Sequence, residues 1–368
     1  MENRYLEKWA KVLVHYSLRL QKGDLLRIGG TTLTAPLILA VYREALEVGA
    51  HPYTRVAIEG IEETYYRYAS EEQLRFVSEV EKFEMEKVDA YLTILGYWNT
   101  RSLSNIDPAR LAIRQEATRD LSQRFLERSA KGELRWCVTQ FPTNADAQEA
   151  DMSLRDYEEF IIRACLLEHD DPITAWEQVK ARQDRIARFL EKIRTFRIVA
   201  PDVDLTISTE GRRWINAFGD KNFPDGEVFT GPVEDSANGH VRFTFPAIFH
   251  GREVIDVRLW FESGRVVKAE ASKGEELLHS MLDTDPGARY VGEFAFGLND
   301  GIQRFTKNIL FDEKIGGTFH LALGSGYPET GSRNISGLHW DMICDLRRGG
   351  EVYGDGELIY RDGRFLIA

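Results

Sequence analysis

In the first half of the chain, short apolar runs typical of strands alternate with segments whose apolar residues follow the spacing of a helix. Four short apolar runs are typical of buried strands and lie at residues 24–28, 53–58, 90–95 and 134–140. Helical spacing predicts three helices between them, at residues 35–48, 70–85 and about 108–130. An amphipathic helix precedes the first strand, with Tyr5, Trp9 and Tyr16 among its apolar positions. Because strands and helices alternate, we expect an α/β domain with a mainly parallel sheet and flanking helices.

The pattern changes in the second half of the chain. Two further helices are predicted, at residues 154–168 and about 172–194. Beyond Phe196, apolar residues occur at every second position, for example in residues 241–245, which is typical of half-buried strands. We therefore place a domain boundary near residue 195, with an α/β domain at residues 1–195 and a β-rich α+β domain at residues 196–368.

Composition argues against several kinds of partner. The 368 residues include 47 Lys and Arg against 59 Asp and Glu, which gives a formal net charge of −12. A chain without a basic excess is a poor match for nucleic acid or for an anionic membrane surface, so we expect neither partner. The pair Gly29-Gly30 before a predicted helix fits neither GxGxxG nor the Walker pattern, and we assign no nucleotide cofactor to it.

Cysteine usage and the amino-terminal residues predict a cytoplasmic protein. Cys137, Cys165 and Cys344 are widely spaced and form no CxxC pair, which indicates neither a disulfide framework nor a thiolate metal site. Residues 1–20 mix acidic with basic side chains and lack the apolar core of a signal peptide. No run of apolar residues is long enough to cross a bilayer.

The segment GTFHLALGSGYPETGSRNISGLHWD concentrates groups that can bind a metal or contact a substrate, namely His320, Tyr327, His339 and Asp341. The runs FHLAL and LHWDMI predict buried strands, with a glycine-rich crossover between them. Residues two apart share one face of a strand, so His339 and Asp341 should project together. A lone His in an apolar run is more often an ordinary core residue, but four such groups in one window favour a metal site. Imidazole and carboxylate ligands suit zinc, cobalt, manganese or iron.

Two further acidic residues stand among apolar or glycine residues. Glu227 lies in FPDGEVFTGP and Glu293 lies in YVGEFAFG. A buried carboxylate is costly unless it is paired or coordinates a cation. For either residue alone, a salt bridge to a nearby arginine and a metal site are equally compatible with the sequence.

Four blocks of sequence resemble a known family, the metallopeptidases called aminopeptidase T or thermophilic aminopeptidases. The blocks are GEVFTGP, VVKAEASKGEELLHSMLDTDPGARYVGEFAFG, ILFDEKIGGTFHLALGSGYP and NISGLHWDMI. They follow the family's order through most of residues 225–345, which makes the match much more specific than any single motif. The first domain agrees with the family in general layout.

The resemblance implies a site, an activity and an assembly. Two divalent metal ions per chain (Zn, Co or Mn) would be bound by Glu227, Glu293, His320, His339 and Asp341. Tyr327 matches the family's active-site tyrosine, and Tyr327 and Glu227 are the candidate catalytic residues. Enzymes of this family remove amino-terminal residues from peptides. The resemblance also implies that the protein forms a homodimer. Residues 196–368 would then be the metal-binding catalytic domain. Residues 1–195 would cover the metal cleft of that domain and would form contacts between subunits.

Physical chemistry agrees with a two-metal hydrolase. Two cations about 3.5–4 Å apart can share a hydroxide and polarise a scissile carbonyl. We expect Glu293 to be the carboxylate between them and Tyr327 to donate a hydrogen bond to the developing oxyanion. Another metal-dependent amidohydrolase or dipeptidase on the same site remains an alternative that the sequence does not separate from an aminopeptidase. A non-catalytic relative is disfavoured because the set of ligands is complete.

Overall fold

The computed structural model describes residues 1–249 and 251–366, which pack into two compact units. The first unit comprises Met1–Ile173 and Gly219–Phe223, and the second comprises Thr174–Phe218 and the described residues from Pro224 onward. The chain thus enters the second unit after Ile173, whereas the hydrophobic pattern placed the boundary near residue 195. The difference arises because Ile186 and Leu190, on the last predicted helix, are buried in the hydrophobic core of the second unit.

The α-helices are, in chain order, α1 (Asn3–Lys11), α2 (Ala35–Val48), α3 (Ile61–Tyr68), α4 (Glu71–Arg75), α5 (Glu79–Lys87), α6 (Pro108–Ala117), α7 (Arg119–Ala130), α8 (Asn144–Glu149), α9 (Leu154–Ala164), α10 (Pro172–Leu190), α11 (Glu275–Leu282) and α12 (Ile309–Asp312). A π-helix continues α1 over Val12–Ser17. Over residues 1–249 and 251–366, no helix combines the length and the apolar character needed to cross a membrane.

The strands are β1 (Leu25–Thr31), β2 (His51–Ala57), β3 (Ala90–Leu95), β4 (Arg135–Gln140), β5 (Thr195–Ala200), β6 (Val203–Ser208), β7 (Ile215–Ala217), β8 (Asn222–Phe223), β9 (Glu227–Thr230), β10 (Asn238–Arg242), β11 (Ala247–Phe249), β12 (Arg252–Val254), β13 (Arg258–Glu262), β14 (Arg265–Glu270), β15 (Val291–Gly297), β16 (Thr318–Gly324), β17 (His339–Asp345), β18 (Glu351–Gly354), β19 (Glu357–Arg361) and β20 (Arg364–Phe365).

The first unit is built on a parallel sheet with the strand order β2-β1-β3-β4-β8. Four of these strands match predicted ones, and the helices between them make the parallel connections possible. The short strand β8 was not predicted, and it pairs with β4 after a long excursion of the chain through the second unit. The hydroxyl of Thr139 donates to the carbonyl oxygen of Phe223 at 2.6 Å and ties this last strand to its neighbour.

Two predicted helices are interrupted, so the expectation of a single helix in each place is wrong. Residues 70–85 form α4 and then part of α5, because Ser78 caps α5 by accepting a hydrogen bond from the backbone N–H of Glu81. Residues 108–130 form α6 and α7, which meet at Thr118. Its hydroxyl donates to the carbonyl oxygen of Arg114, and such local bonds compete with a continuous helix.

The second unit packs an eight-stranded sheet against a five-stranded one. The strand orders are β14-β13-β10-β6-β5-β18-β19-β20 and β17-β16-β15-β9-β7, and neighbouring strands are antiparallel. Phe196 on the larger sheet and Phe294 on the smaller one meet in the core, with ring centroids 5.5 Å apart. Leu190 of α10 and Leu278 of α11 complete this core. The α/β unit followed by a β-rich α+β unit is the predicted fold class.

Candidate metal centre

The five residues predicted as ligands lie on four neighbouring strands of the five-stranded sheet. Glu227 begins β9, Glu293 lies in β15, His320 lies in β16, and His339 and Asp341 lie at the start of β17. These strands are adjacent in the order β17-β16-β15-β9. Strand pairing therefore brings together residues that are up to 114 positions apart in the chain, the separation of Glu227 and Asp341.

Alternation along these strands separates a polar face from an apolar one. Their neighbours in the hydrophobic core are Val228, Phe294, Phe319, Leu321, Trp340 and Met342. Successive side chains of a strand point to opposite faces, so the ligand candidates between them share the other face. Burying each large apolar side chain stabilises the fold by about 1.5–3 kcal/mol, which holds the polar face in place. The predicted common face of His339 and Asp341 is confirmed, since Nε2 of His339 lies 3.6 Å from Oδ2 of Asp341.

A bulge in β15 adjusts the position of Glu293. The pairing of β15 with β16 changes register between Val291 and Glu293, and bulges of this kind redirect side chains. A Cβ atom on Gly292 would lie 2.3 Å from the carbonyl oxygen of Gly324, so the close approach of the two strands requires glycine. The side chain of Glu293 is thereby directed toward His320 and His339.

The ligand atoms form two groups of three. One consists of Glu227, Glu313 and His320, the other of Glu293, His339 and Asp341, and within each group the ligand atoms lie within 4.8 Å of one another. Glu293 also contacts the first group, because its Oε1 lies 3.5 Å from Nε2 of His320 while its Oε2 lies 3.4 Å from Nε2 of His339. Its carboxylate therefore lies between the two groups.

Two residues of this cluster, Glu313 and Lys314, were missed in the sequence. Glu313 follows the short helix α12 in the stretch ILFDEKIGG, whose apolar and glycine residues resemble the surroundings that singled out Glu227 and Glu293. Asp312 and Lys314 place a charge on either side of Glu313, and runs of charged residues are also typical of exposed loops. In the structure Lys314 is fully buried, and its Nζ contacts Oε1 of Glu313 and lies 3.3 Å from Oε1 of Glu227.

Burial and mutual charge shift the pKa values of the cluster. Burial raises the pKa of Glu227 to about 7, against the opposing charges of Lys314 and His320. Burial would raise the pKa of Glu293 as well, but its contacts with His320 and His339 hold that pKa at about 2. Burial lowers the pKa of each imidazole, but the neighbouring carboxylates outweigh it and raise the pKa of His320 to about 9 and that of His339 to about 10. The carboxylates of the cluster therefore stabilise positive charge on the groups that lie beside them.

Buried polar atoms without hydrogen bonds show that these residues fit a metal. Among the described residues, Oε2 of Glu227, Oδ1 of Asp341 and both ring nitrogens of His320 are buried and have no hydrogen-bond partner. Such atoms are costly to bury unless they coordinate a cation. Nδ1 of His339 donates to the carbonyl oxygen of Ser325 at 2.8 Å, which leaves its Nε2 as a ligand atom. Carboxylate and imidazole donors suit zinc, cobalt and manganese.

Tyr327 lies beside the second group of ligands. Its ring centroid is 5.3 Å from that of His339 and 5.3 Å from that of Phe229. The side chain is 39% exposed. Burial and the nearby carboxylates raise the pKa of Tyr327 above the ordinary tyrosine value, so its hydroxyl keeps its proton at neutral pH and can donate a hydrogen bond.

Comparison with known proteins places the chain in a family. The family described as thermophilic metalloprotease (M29) matches residues 2–365. The chain belongs to this family. Aminopeptidase 2 of Geobacillus stearothermophilus is 30% identical over 88% of this chain and 84% of its own, and Aminopeptidase T of Thermus thermophilus is 27% identical over 99% of both chains. The solved structure titled wild-type AmpT from Thermus thermophilus matches with a TM-score of 0.87 and 25% identity, covering 99% of each chain.

Family membership makes the protein a metal-dependent hydrolase of peptide bonds. It confirms the resemblance found in the sequence and the class of enzyme predicted from it. The structural match over nearly the whole chain likewise confirms the predicted fold class.

Proposed function

We propose that the protein is an aminopeptidase that binds two divalent cations, one at each group of ligand atoms. The observation that carries the proposal is the pair of groups itself: two sets of three ligand atoms, each within 4.8 Å, that adjoin on one face of a sheet. Zinc, cobalt and manganese all suit these donors. The relatives named as aminopeptidases from Geobacillus, Streptococcus and Thermus support the same activity for this chain.

Glu293 is the carboxylate that we propose to bridge the two cations. Its two oxygens face histidines of different groups, His320 and His339. A carboxylate shared in this way offsets the repulsion between two nearby positive charges. Each group then keeps its own terminal ligands: Glu227, Glu313 and His320 on one side, and His339 and Asp341 on the other.

The residues of the chain position the reacting groups. Cations bound here would lower the pKa of water and polarise the scissile carbonyl group. Tyr327, which keeps its proton, donates a hydrogen bond to the carbonyl oxygen as that oxygen becomes negative. Glu227 is the second proposed catalytic residue. Its Oε2 lies 3.4 Å from Nε2 of His320 and has no hydrogen-bond partner among the described residues, so it is available to the site.

Selectivity for amino termini follows from the chemistry of the free amine. A free amine can donate to a carboxylate of the cluster or bind a cation as a neutral ligand, and either contact fixes the first carbonyl group of the peptide. An acetylated peptide loses this contact. Misplacement by about 1 Å can lower a rate by about 10²-fold, which is enough for selective cleavage at the amino end.

A set of matched peptides tests the proposed activity. One short sequence is supplied with a free amine, with an acetylated amino terminus, and with a free amine but an amidated carboxyl terminus. Products are followed by mass spectrometry with added zinc, cobalt or manganese. We expect the first and third peptides to lose one residue at a time from the amino end, and the acetylated peptide to remain intact. Equal cleavage of the acetylated peptide, or internal cleavage first, would favour a broader amidohydrolase.

We also propose that the protein forms a homodimer through its first unit. Large apolar side chains are exposed on α3, on α5 and at the residue that follows α4. Their exposed fractions are 58–81%, for Tyr68, Phe76, Val80 and Phe83. Exposed apolar groups in one segment are typical of an interface.

Light scattering should give a dimer mass for the wild type and a monomer mass for the double variant Phe76→Ser with Phe83→Ser. Leu126→Ser, at a position on α7 that is 65% exposed, is the matched control. A monomeric wild type would contradict the proposal.

A further inference from the structure

Lys314 is a fully buried lysine that contacts two of the ligand candidates. Its Nζ lies 3.3 Å from Oε1 of Glu227 and also contacts Oε1 of Glu313. Its backbone is held on both sides, since its N–H donates to the carbonyl oxygen of Phe311 at 3.1 Å and its own carbonyl accepts from the N–H of Asn299 at 3.1 Å. Lysine is almost never fully buried unless it is paired, so its partners here have a specific role in holding it.

The ammonium group of Lys314 lies beside one group of ligands only. Glu227 and Glu313 belong to the first group, whereas each ion pair of Glu293 and Asp341 within the described residues is with a histidine. A histidine that binds a metal is neutral, but an ammonium keeps its charge. A cation in the first group would therefore meet a fixed positive charge a few ångströms away, and a cation in the second group would not.

We propose that Lys314 makes the two metal sites unequal. It neutralises part of the negative charge of Glu227 and Glu313, so that their site with His320 binds its cation more weakly than the site of Glu293, His339 and Asp341. The same contacts hold the two buried carboxylates in place when that cation leaves. Lys314 is thus a positioning residue that sets metal affinity. This inference rests on the proposed two-cation function.

Cobalt titration of the full-length, metal-free protein tests the inference. Calorimetry and cobalt absorption should resolve two binding phases in the wild type, with dissociation constants that differ by about tenfold or more. Lys314→Met, which keeps the length of the side chain but removes its charge, should tighten the weaker phase by about tenfold and leave the tighter phase nearly unchanged. Lys314→Arg retains the charge and should keep the two phases apart. Lys273→Met removes the charge of an exposed lysine that pairs with Glu253 at 3.1 Å, and it should behave as wild type.

A second readout distinguishes the charge effect from simple packing. The melting temperature of the metal-free Lys314→Met protein should fall below that of the wild type, because two buried carboxylates lose their partner. Saturating cobalt should reduce this difference, since bound cations replace the missing charge. A deficit that cobalt leaves unchanged, with both binding phases at wild-type affinity, would show that Lys314 only supports the fold.

Ligand variants assign the phases even when Lys314→Met does not fold. In a background that keeps Lys314, Glu313→Gln should abolish the weaker phase, and Asp341→Asn should abolish the tighter one. The reverse assignment would overturn the inference while leaving the two-cation function intact. A wild type that binds fewer than two cobalt ions would instead contradict the proposed function, so the two failures are distinguishable.

Discussion

Nε2 of His339 lies 3.6 Å from Oδ2 of Asp341, two residues further along β17. The hydrogen bond from Nδ1 of His339 to the carbonyl oxygen of Ser325 fixes the imidazole, so that Nε2 faces both Asp341 and Glu293. The two side chains therefore present one pair of candidate ligand atoms whose spacing is set by the strand.

We expect His339 and Asp341 to act as a unit. Replacing either by Ala should lower kcat/KM by orders of magnitude, and the double replacement should cost little more, because residues that act together are strongly non-additive. Steady-state assays on a free-amine peptide measure the effect. His279→Ala is the control, since His279 lies at an exposed position of α11. A comparable loss in the control, or additive losses in the double variant, would mean that the two residues do not share a cation.

Metal removal should abolish activity reversibly. Imidazole and carboxylate ligands suit cobalt, zinc and manganese alike, so each should restore activity after chelation and dialysis. Metal analysis of the reloaded protein should give about two ions per chain. Full activity in excess chelator, in a sample that contains no bound metal, would contradict the two-metal reading.

Replacement of Tyr327 should affect the chemical step more than binding. Tyr327→Phe keeps the ring contacts with Phe229 and His339 but removes the hydroxyl. Loss of a donor to an oxyanion lowers kcat by roughly 10²–10³, so we expect a fall of that order with a small change in KM. Metal content should stay at the wild-type value. A loss of metal, or a rise in KM alone, would assign Tyr327 to a structural or binding role.

The first unit should lose stability as the pH rises through the titration of Asp146. Burial raises the pKa of Asp146 from 3.8 to about 6, although Thr143 and Gln140 both donate hydrogen bonds to its carboxyl group. Because the folded-state pKa lies above the unfolded value, the contribution to stability is complete below about pH 4 and is lost between about pH 4 and 6. The loss is on the order of 3 kcal/mol.

Asp146→Asn tests this pH dependence because it removes the titration and keeps an acceptor oxygen. Relative to the wild type, the urea midpoint of the variant should increase as the pH is raised from 4 to 7. The exposed Asp120, replaced by Asn, provides the same chemical change without burial. Parallel pH profiles for the wild type and Asp146→Asn would show that the carboxyl group does not titrate in this range.

Strands β16 and β17 of the second unit were predictable because local sequence determines the period of a strand and the face of each side chain. FHLAL and LHWDMI are β-rich apolar runs, and the structure contains them as β16 and β17. By contrast, the breaks at Ser78 and Thr118 depend on single side-chain hydrogen bonds that a helical pattern does not reveal.

Hydrophobic patterning placed the boundary near residue 195, whereas the compact units divide after Ile173. Ile186 and Leu190, on the apolar face of α10, are buried in the core of the second unit. A stripe carries no information about which core will cover it, so the assignment of Ile186 and Leu190 to the second unit required the folded chain. The return of Asn222–Phe223 to the first sheet is likewise a long-range pairing that two residues do not encode.

The sequence by itself showed which residue types could bind a metal. It also determined the common face of His339 and Asp341, because a two-residue period is a property of any extended strand. Only the tertiary structure decided that Glu227 meets His320 and Glu313. That meeting depends on register between strands, in which Gly297 pairs with Glu227 and Ala295 pairs with His320. The tertiary structure also decided that Lys314 points into the cluster. Register and burial arise from contacts between distant segments, and a one-residue slip of β9 or β16 would turn Glu227 or His320 to the opposite face.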